Sequence, residues 1–180
     1  MAELVAKTYS EALFEVALEV DGLDRIAEEF QQVNESFVNN REFFELYRSP
    51  QFSTEERKAI INEVFRDGIS AELRNFLYIL LDKRRSGSVL EIHRAFMKRL
   101  DAHRGILEAT VKSAEPLSEA LKKELAVKLG ALTGKDVRLK ASVEKDLIGG
   151  LYIKVGDQVL DGSMKNRLEN IKESLKHIIV

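Results

Sequence analysis

Residues 105–114, GILEATVKSA, mark the place where the chain changes its hydrophobic period. Leu107, Ala109 and Val111 alternate with Glu108, Thr110 and Lys112, the two-residue repeat of a half-buried strand. Upstream, the apolar residues recur at three and four instead: Leu23, Ile26, Ala27, Phe30, Val33 and Phe37 fall on one helical face. Composition shifts at the same point. All nine Phe lie at or before Phe96, and seven of the ten Gly lie at or after Gly105. Residues 1–104 carry 15 basic and 19 acidic side chains, net -4, and residues 105–180 carry 13 and 11, net +2, matching the overall -2. A boundary near His103–Gly105 follows, with one domain over 1–104 and a second over 105–180.

The first domain reads as helix throughout. Asp21-Gly22 separates the first helix from the second, and Pro50 closes a short third segment containing Phe43, Phe44 and Leu46. Ser53 with Glu56, and Ser88 with Glu91, have the three-residue spacing of a capping box, in which hydroxyl and carboxylate satisfy free amides at a helix start. Asp67-Gly68 stops the fourth helix and Ser70 caps the fifth. Six helices joined by short turns predict a bundle. In the second domain Pro116 and Ser118 open a helix with Leu121, Leu125, Leu129 and Leu132 on one face. Val137, Leu139, Ala141 and Val143 alternate as a second strand, and LYIKV-GD-QVL forms a hairpin turning at Gly156-Asp157. Ser163 caps a last helix that is expected to turn Met164, Leu168, Ile171, Leu175 and Ile178 inward. The fold class is α+β: an N-terminal six-helix bundle followed by a small mixed α/β domain.

The search for chemistry returns little. There is no cysteine, so disulfides, thiol catalysis and thiolate metal sites are excluded. Gly130-Ala131-Leu132-Thr133-Gly134-Lys135-Asp136 imitates a phosphate loop, but the glycine gap is one residue short and Asp136 stands where a Ser or Thr would bind magnesium. A glycine C-cap explains it better. His93, His103 and His177 are far apart and read as exposed helix positions. Lys83-Arg84-Arg85 is the compact basic cluster, placed where it complements a helix C-terminus. No run approaches the roughly 20 apolar residues of a membrane span, and the N-terminus does not have the pattern of a signal peptide. A soluble, intracellular chain with no catalytic, cofactor or metal site is expected.

Two helices carry surplus apolar surface. In the fifth, Leu73, Phe76, Leu77 and Leu80 suffice for a core stripe, yet Tyr78, Ile79 and Leu81 extend it around the circumference. In the first, Val5, Tyr9, Ala12, Leu13, Val16 and Val20 form a stripe that Phe14 and Leu18 fall outside. Such helices are either central in their bundle or covered by a partner. The same choice is open for Ile178-Ile179-Val180 at the C-terminus, which complete the small core or meet a partner.

AKTYSEALFEVA of the first helix and DLIGGLYIKVGDQVLDGSMKNRLENIKESL near the end resemble the delta subunit family of F-type ATP synthase, which includes the mitochondrial oligomycin sensitivity-conferring protein. Ile148-Gly149-Gly150-Leu151, Val155-Gly156-Asp157 and Asp161-Gly162-Ser163 carry the specific part of the resemblance, and Thr8 stands where the first helix commonly has proline. The resemblance spans essentially the whole chain. It implies a non-catalytic stator subunit that holds the catalytic head against rotation, at the cytoplasmic face of the cell inner membrane and attached only through the complex. Its bundle would receive the N-terminal helix of an alpha subunit in a groove between the first and fifth helices, on Ala6, Tyr9, Ala12, Leu13, Asn75 and Ile79. The second domain would meet the b subunits of the peripheral stalk, with Leu175, Ile178 and Ile179 as contacts. Gly149, Gly150, Gly156 and Gly162 are expected to be structural, and no cofactor or nucleic acid is implied. From the residues alone, a generic helical adaptor and an RNA binder using Lys83–Arg85 are the rivals.

Overall fold

Ser53, Ser70 and Ser118 start helices where the sequence places them, whereas Ser88, expected to cap a helix with Glu91, ends a 3-10 turn that runs straight into it. The computed structural model describes residues 2–66, 68–156 and 158–169. Two compact units divide the chain, Met1–Leu100 and Asp101–Val180. The first holds α1 (Ala2–Glu19), α2 (Leu23–Asn39), α3 (Arg41–Arg48), α4 (Thr54–Phe65), α5 (Ala71–Asp82), a 3-10 turn at Ser86–Ser88 and α6 (Val89–His103), whose last residues pass the division. Ser53 and Glu56 make both bonds of the capping box: the Glu56 amide donates to Ser53 Oγ at 3.2 Å and the Ser53 amide to Glu56 Oε2 at 2.8 Å. Ser70 Oγ accepts from the Leu73 amide, and Glu29 of α2 accepts from the Ser70 amide at 2.8 Å, which ties the start of α5 to α2. Each such cap contributes about 1 kcal/mol.

Aromatic rings fill the helical core. Phe30 of α2 is fully buried and meets Phe76, His93 and Phe96 edge-on, with centroids 6.0, 5.0 and 5.8 Å away. Phe37 stacks on Phe43 and Tyr47 at 5.0 and 4.9 Å and meets Phe65 edge-on. Tyr47 buries its ring and donates its hydroxyl to the Leu77 carbonyl at 3.0 Å, so the polar tip is not left unpaired. His93 corrects the sequence-level expectation of an exposed position: it is 6% exposed, packed against Phe30, and its Nε2 has no hydrogen-bond partner. Burial, and secondarily Arg94, hold its pKa below the ordinary value.

The second unit is a four-stranded sheet with one described long helix. Its elements are β1 (Ile106–Ser113), α7 (Glu119–Thr133), β2 (Asp136–Val143), a 3-10 turn at Lys145–Leu147, β3 (Leu151–Val155) and β4 (Gln158–Asp161), in the spatial order β2-β1-β3-β4. β1 and β2 are parallel, so they need a crossover, which α7 supplies; β3 pairs antiparallel with both β1 and β4. Ala109 and Val111 are fully buried, and Ala109, Leu129 and Val155 form the core with Leu107, Val137, Leu139 and Ile153 packed around it. Opposite-charge pairs cross the other face, as Lys140 with Glu108 at 2.7 Å.

Several side chains differ from the expected inward set. Of the leucine stripe on α7 only Leu129 is buried, while Leu121 and Leu132 are exposed, Leu132 at 78%. A Cβ on Gly130 would come 3.1 Å from the carbonyl of Lys135, in the turn that follows the helix, and Ala126 and Leu125 are half-buried. Ala141 and Val143 at the far end of edge strand β2 are likewise exposed. Met164 and Leu168 are exposed rather than turned inward, although Ser163 does accept from the Asn166 amide at 3.2 Å as a cap.

Candidate functional site

α1 and α5 pack side by side, with Tyr9 and Phe76 in edge-on contact at 6.5 Å. The opposite flank of α1 meets α6, where Phe14 packs on Phe96 at 5.8 Å and Glu11 pairs with Arg99 at 3.1 Å. The residues buried on α1 are Ala6, Ser10, Leu13, Phe14 and Ala17. This corrects the phase of the predicted stripe: Phe14 turns in, and Val16 and Val20 turn out, at 38% and 43% exposure. Ser10 made the true phase hard to see. Its hydroxyl donates to the Lys7 carbonyl at 3.0 Å, which lets a polar residue face the core. Leu81 of α5 is corrected too, because it is buried on the flank that α4 covers.

At about 100° per residue, Val5, Ala12 and Val16 lie within about 60° of Tyr9, on its solvent side. On α5, Ile79 lies about 60° from Phe76, while Asn75 lies about 100° from Phe76, toward the flank where Tyr78 bonds to Asn62 of α4. The two solvent-facing flanks therefore border the same ring pair. Ala12, Val16, Asn75 and Ile79 are exposed, Ile79 at 46%, while Tyr9 and Val5 are half-buried. None of the six is charged, but Glu72 shares the α5 flank with Phe76 and Ile79, half-buried and paired with Arg25 of α2 at 3.8 Å. Of the predicted groove residues, Tyr9, Ala12 and Ile79 border this seam, and the exposed Asn75 lies farther round α5. Ala6 and Leu13 are corrected to core positions beneath it, at 5% and 2% exposure. Val5 and Val16 join the seam although the periodicity assigned them to the core.

The candidate stalk contacts Leu175, Ile178 and Ile179 lie outside the described residues. The predicted structural glycines cluster around the β3–β4 hairpin. Gly150 has φ +78°, and a Cβ there would stand 2.3 Å from the Gly162 carbonyl oxygen, so only glycine fits. Gly162 donates its amide to Leu151 at 2.9 Å, Gly149 lies against Met164, and Gly156 has φ +58° in the turn. Gly134 caps α7 in the left-handed conformation, in place of the phosphate loop that its sequence imitates. Among the described residues no cluster of His, Cys, Asp or Glu is placed to hold a metal ion, and no helix is long and apolar enough to cross a membrane.

The described residues thus combine helices bearing an open, largely apolar seam with a small mixed sheet. The family model described as ATP synthase delta (OSCP) subunit matches residues 5–175. The ATP synthase subunit delta of Desulfitobacterium hafniense is 40% identical over 173 residues, covering 96% of this chain and 97% of its own length. That of Alkaliphilus metalliredigens is 39% identical over 180 residues and covers both chains fully. A chain of the Toxoplasma gondii mitochondrial ATP synthase hexamer shares the fold, with a TM-score of 0.71 over 94% of this chain and 96% of its own, at 22% identity. The chain belongs to the ATP synthase delta (OSCP) subunit family. It is a non-catalytic component of the peripheral stalk of F-type ATP synthase.

Proposed function

We propose that α1–α6 act as one six-helix bundle that receives the N-terminal helix of an ATP synthase alpha subunit along the α1/α5 seam. The second unit attaches to the b subunits of the stalk, and the protein works at the cytoplasmic face of the cell inner membrane, held there through the complex. The observation that supports this most is the apolar strip beside Tyr9 and Phe76, with Ala12 and Ile79 left open to solvent and the Glu72–Arg25 pair at its α5 edge. Helix-in-groove recognition needs an apolar strip with room for close approach, and Ala12 supplies the room. Covering the remaining surface of Ile79 contributes about 1 kcal/mol, and Asn75 adds a polar group that fixes register.

Calorimetric titration with a peptide of the alpha-subunit N-terminal segment tests the seam. Ile79→Asp places an unpaired charge under the incoming helix, a loss of several kcal/mol, so affinity falls about 100- to 1,000-fold. Because Ile79 is half exposed in the free protein, stability should change by no more than about 0.5 kcal/mol. Unchanged peptide affinity, or a large loss of melting temperature, rejects the seam as the binding site. For the second unit, removal of residues 175–180 should abolish binding to the C-terminal segment of the b subunits while peptide binding to the bundle persists. Retained stalk binding by the shortened chain places that attachment elsewhere.

A further inference from the structure

Between the end of α3, the start of α4 and the end of α5 lies a cavity of about 610 Å3 with Arg48, Arg57 and Arg84 in its wall. Arg57 is only 9% exposed. Its guanidinium donates to three neutral acceptors, all at long range: the Ser53 carbonyl at 3.4 Å, the Tyr47 carbonyl at 3.5 Å and the Thr54 hydroxyl at 3.4 Å. Among the described residues no carboxylate pairs with it. Tyr47 does not supply the missing charge either, because burial pushes its phenol far up and Arg57 opposes that only in part. A buried cation without a counter-charge is costly to keep out of water, so this site is electrostatically incomplete.

Arg84 adds a second anomaly. It ends α5 at φ +54°, with its amide donating to the Leu81 carbonyl at 3.0 Å and that of Arg85 to Leu80 at 2.7 Å. Glycine is the usual residue in such a left-handed cap, and a side chain with a Cβ is strained there. The chain instead keeps an arginine in the cavity wall. The acidic residues nearby do not cancel these charges. Asp82 is held by Lys58 at 2.7 Å, and Arg48 is held by Glu45 at 2.8 Å. Arg57 and Arg84, neither of them in an ion pair among the described residues, thus face one unpaired carboxylate in the wall, Glu55.

We propose that this cavity binds a phosphate-type oxyanion, with Arg57 as its floor, Arg84 at its rim and the first turn of α4 behind them. The planar guanidinium offers paired donors matched to phosphate oxygens, and the start of a twelve-residue helix favours negative charge. The site lies outside the α1/α5 seam and is independent of how that seam is used. Its volume admits either free phosphate or a larger phosphorylated molecule.

Amide NMR of the full chain, titrated with inorganic phosphate or with pyrophosphate at ionic strength held constant by chloride, tests the site. Saturable shifts are expected at residues 53–57 and 84–86, with half-saturation near about 1 mM. Tighter binding of pyrophosphate than of phosphate would identify a larger phosphorylated ligand, and equal binding a single phosphate group. Arg84→Gly relieves the strained φ, so its melting temperature should be equal or higher while half-saturation rises about tenfold. Arg57→Lys keeps the charge but loses the planar fork, and should bind at least about tenfold more weakly. Non-saturating shifts, shifts that chloride reproduces, or parent-like binding by Arg84→Gly would overturn the proposal. So would saturation by a glutamate peptide where both phosphates fail.

Discussion

In the helical unit the buried apolar residues form one continuous cluster from Ala6 to Leu100, cross-braced by aromatic rings on α2, α3, α5 and α6. In the sheet unit the buried cluster is Ala109, Leu129 and Val155, and most other described apolar side chains are half-buried or exposed. The two units are thus held by different forces. The first rests on burial, at about 25 cal/mol for each Å2 of apolar surface. The second depends more on its backbone ladder and on places where chains approach too closely for a side chain, as at Gly130 and Gly150. Ion pairs across the sheet, such as Lys112 with Glu144, are partly exposed and add little.

The largest effect that sharpens this contrast is expected from Phe30→Ala. Emptying the site where three rings converge should cost about 3–5 kcal/mol, seen as a lower urea midpoint and faster amide exchange in α2, α5 and α6. A loss below about 1 kcal/mol would show that the core collapses around the gap and is less ordered than it looks. Gly150→Ala comes next, at about 2–3 kcal/mol, confined to the sheet unit. Exchange at β1 and β3 should accelerate while α2 is unchanged; a change shared by both units would mean that they unfold together and that the contrast fails.

The smallest effect is a pH slope from His93. Its folded pKa is held below the unfolded value, so the unfolded chain binds the proton first as pH falls through the ordinary value of 6.5. Stability present above that pH is therefore lost below it, until the folded form also protonates. His93→Leu should flatten the slope of melting temperature between pH 7 and the acid side of 6.5. If the variant keeps the parent slope, another group is responsible.

Much of the organisation was legible in the sequence because local chemistry dictates it. Ser53, Ser70 and Ser118 begin helices by the same hydroxyl-to-amide bond, and the alternation at Leu107–Val111 is a strand. The seam was only partly legible. Surplus apolar character pointed to α1 and α5, yet which residues face outward depends on what small and polar residues do in the core. Ala6, Ser10 and Ala17 turn inward because neighbours come close, and this swings Val16 to the surface. The buried state of His93 was illegible for a related reason: its polar ring is accommodated by Phe30 from another helix, a contact that no local pattern records.

The parallel pairing of β1 and β2 has a consequence for how the protein is made. Ile106 pairs with Asp136, so the sheet cannot close until the whole crossover helix has been synthesised. The bundle precedes it in the chain, and its elements pack mainly on sequence neighbours such as α2 with α3 and α4 with α5. Contacts of short sequence separation form fast, while parallel pairing waits on the closure of a long loop. A nascent chain halted after α6 should already protect the amides of α2 from exchange, and refolding of the full chain should show the β1 amides becoming protected in a later, slower phase.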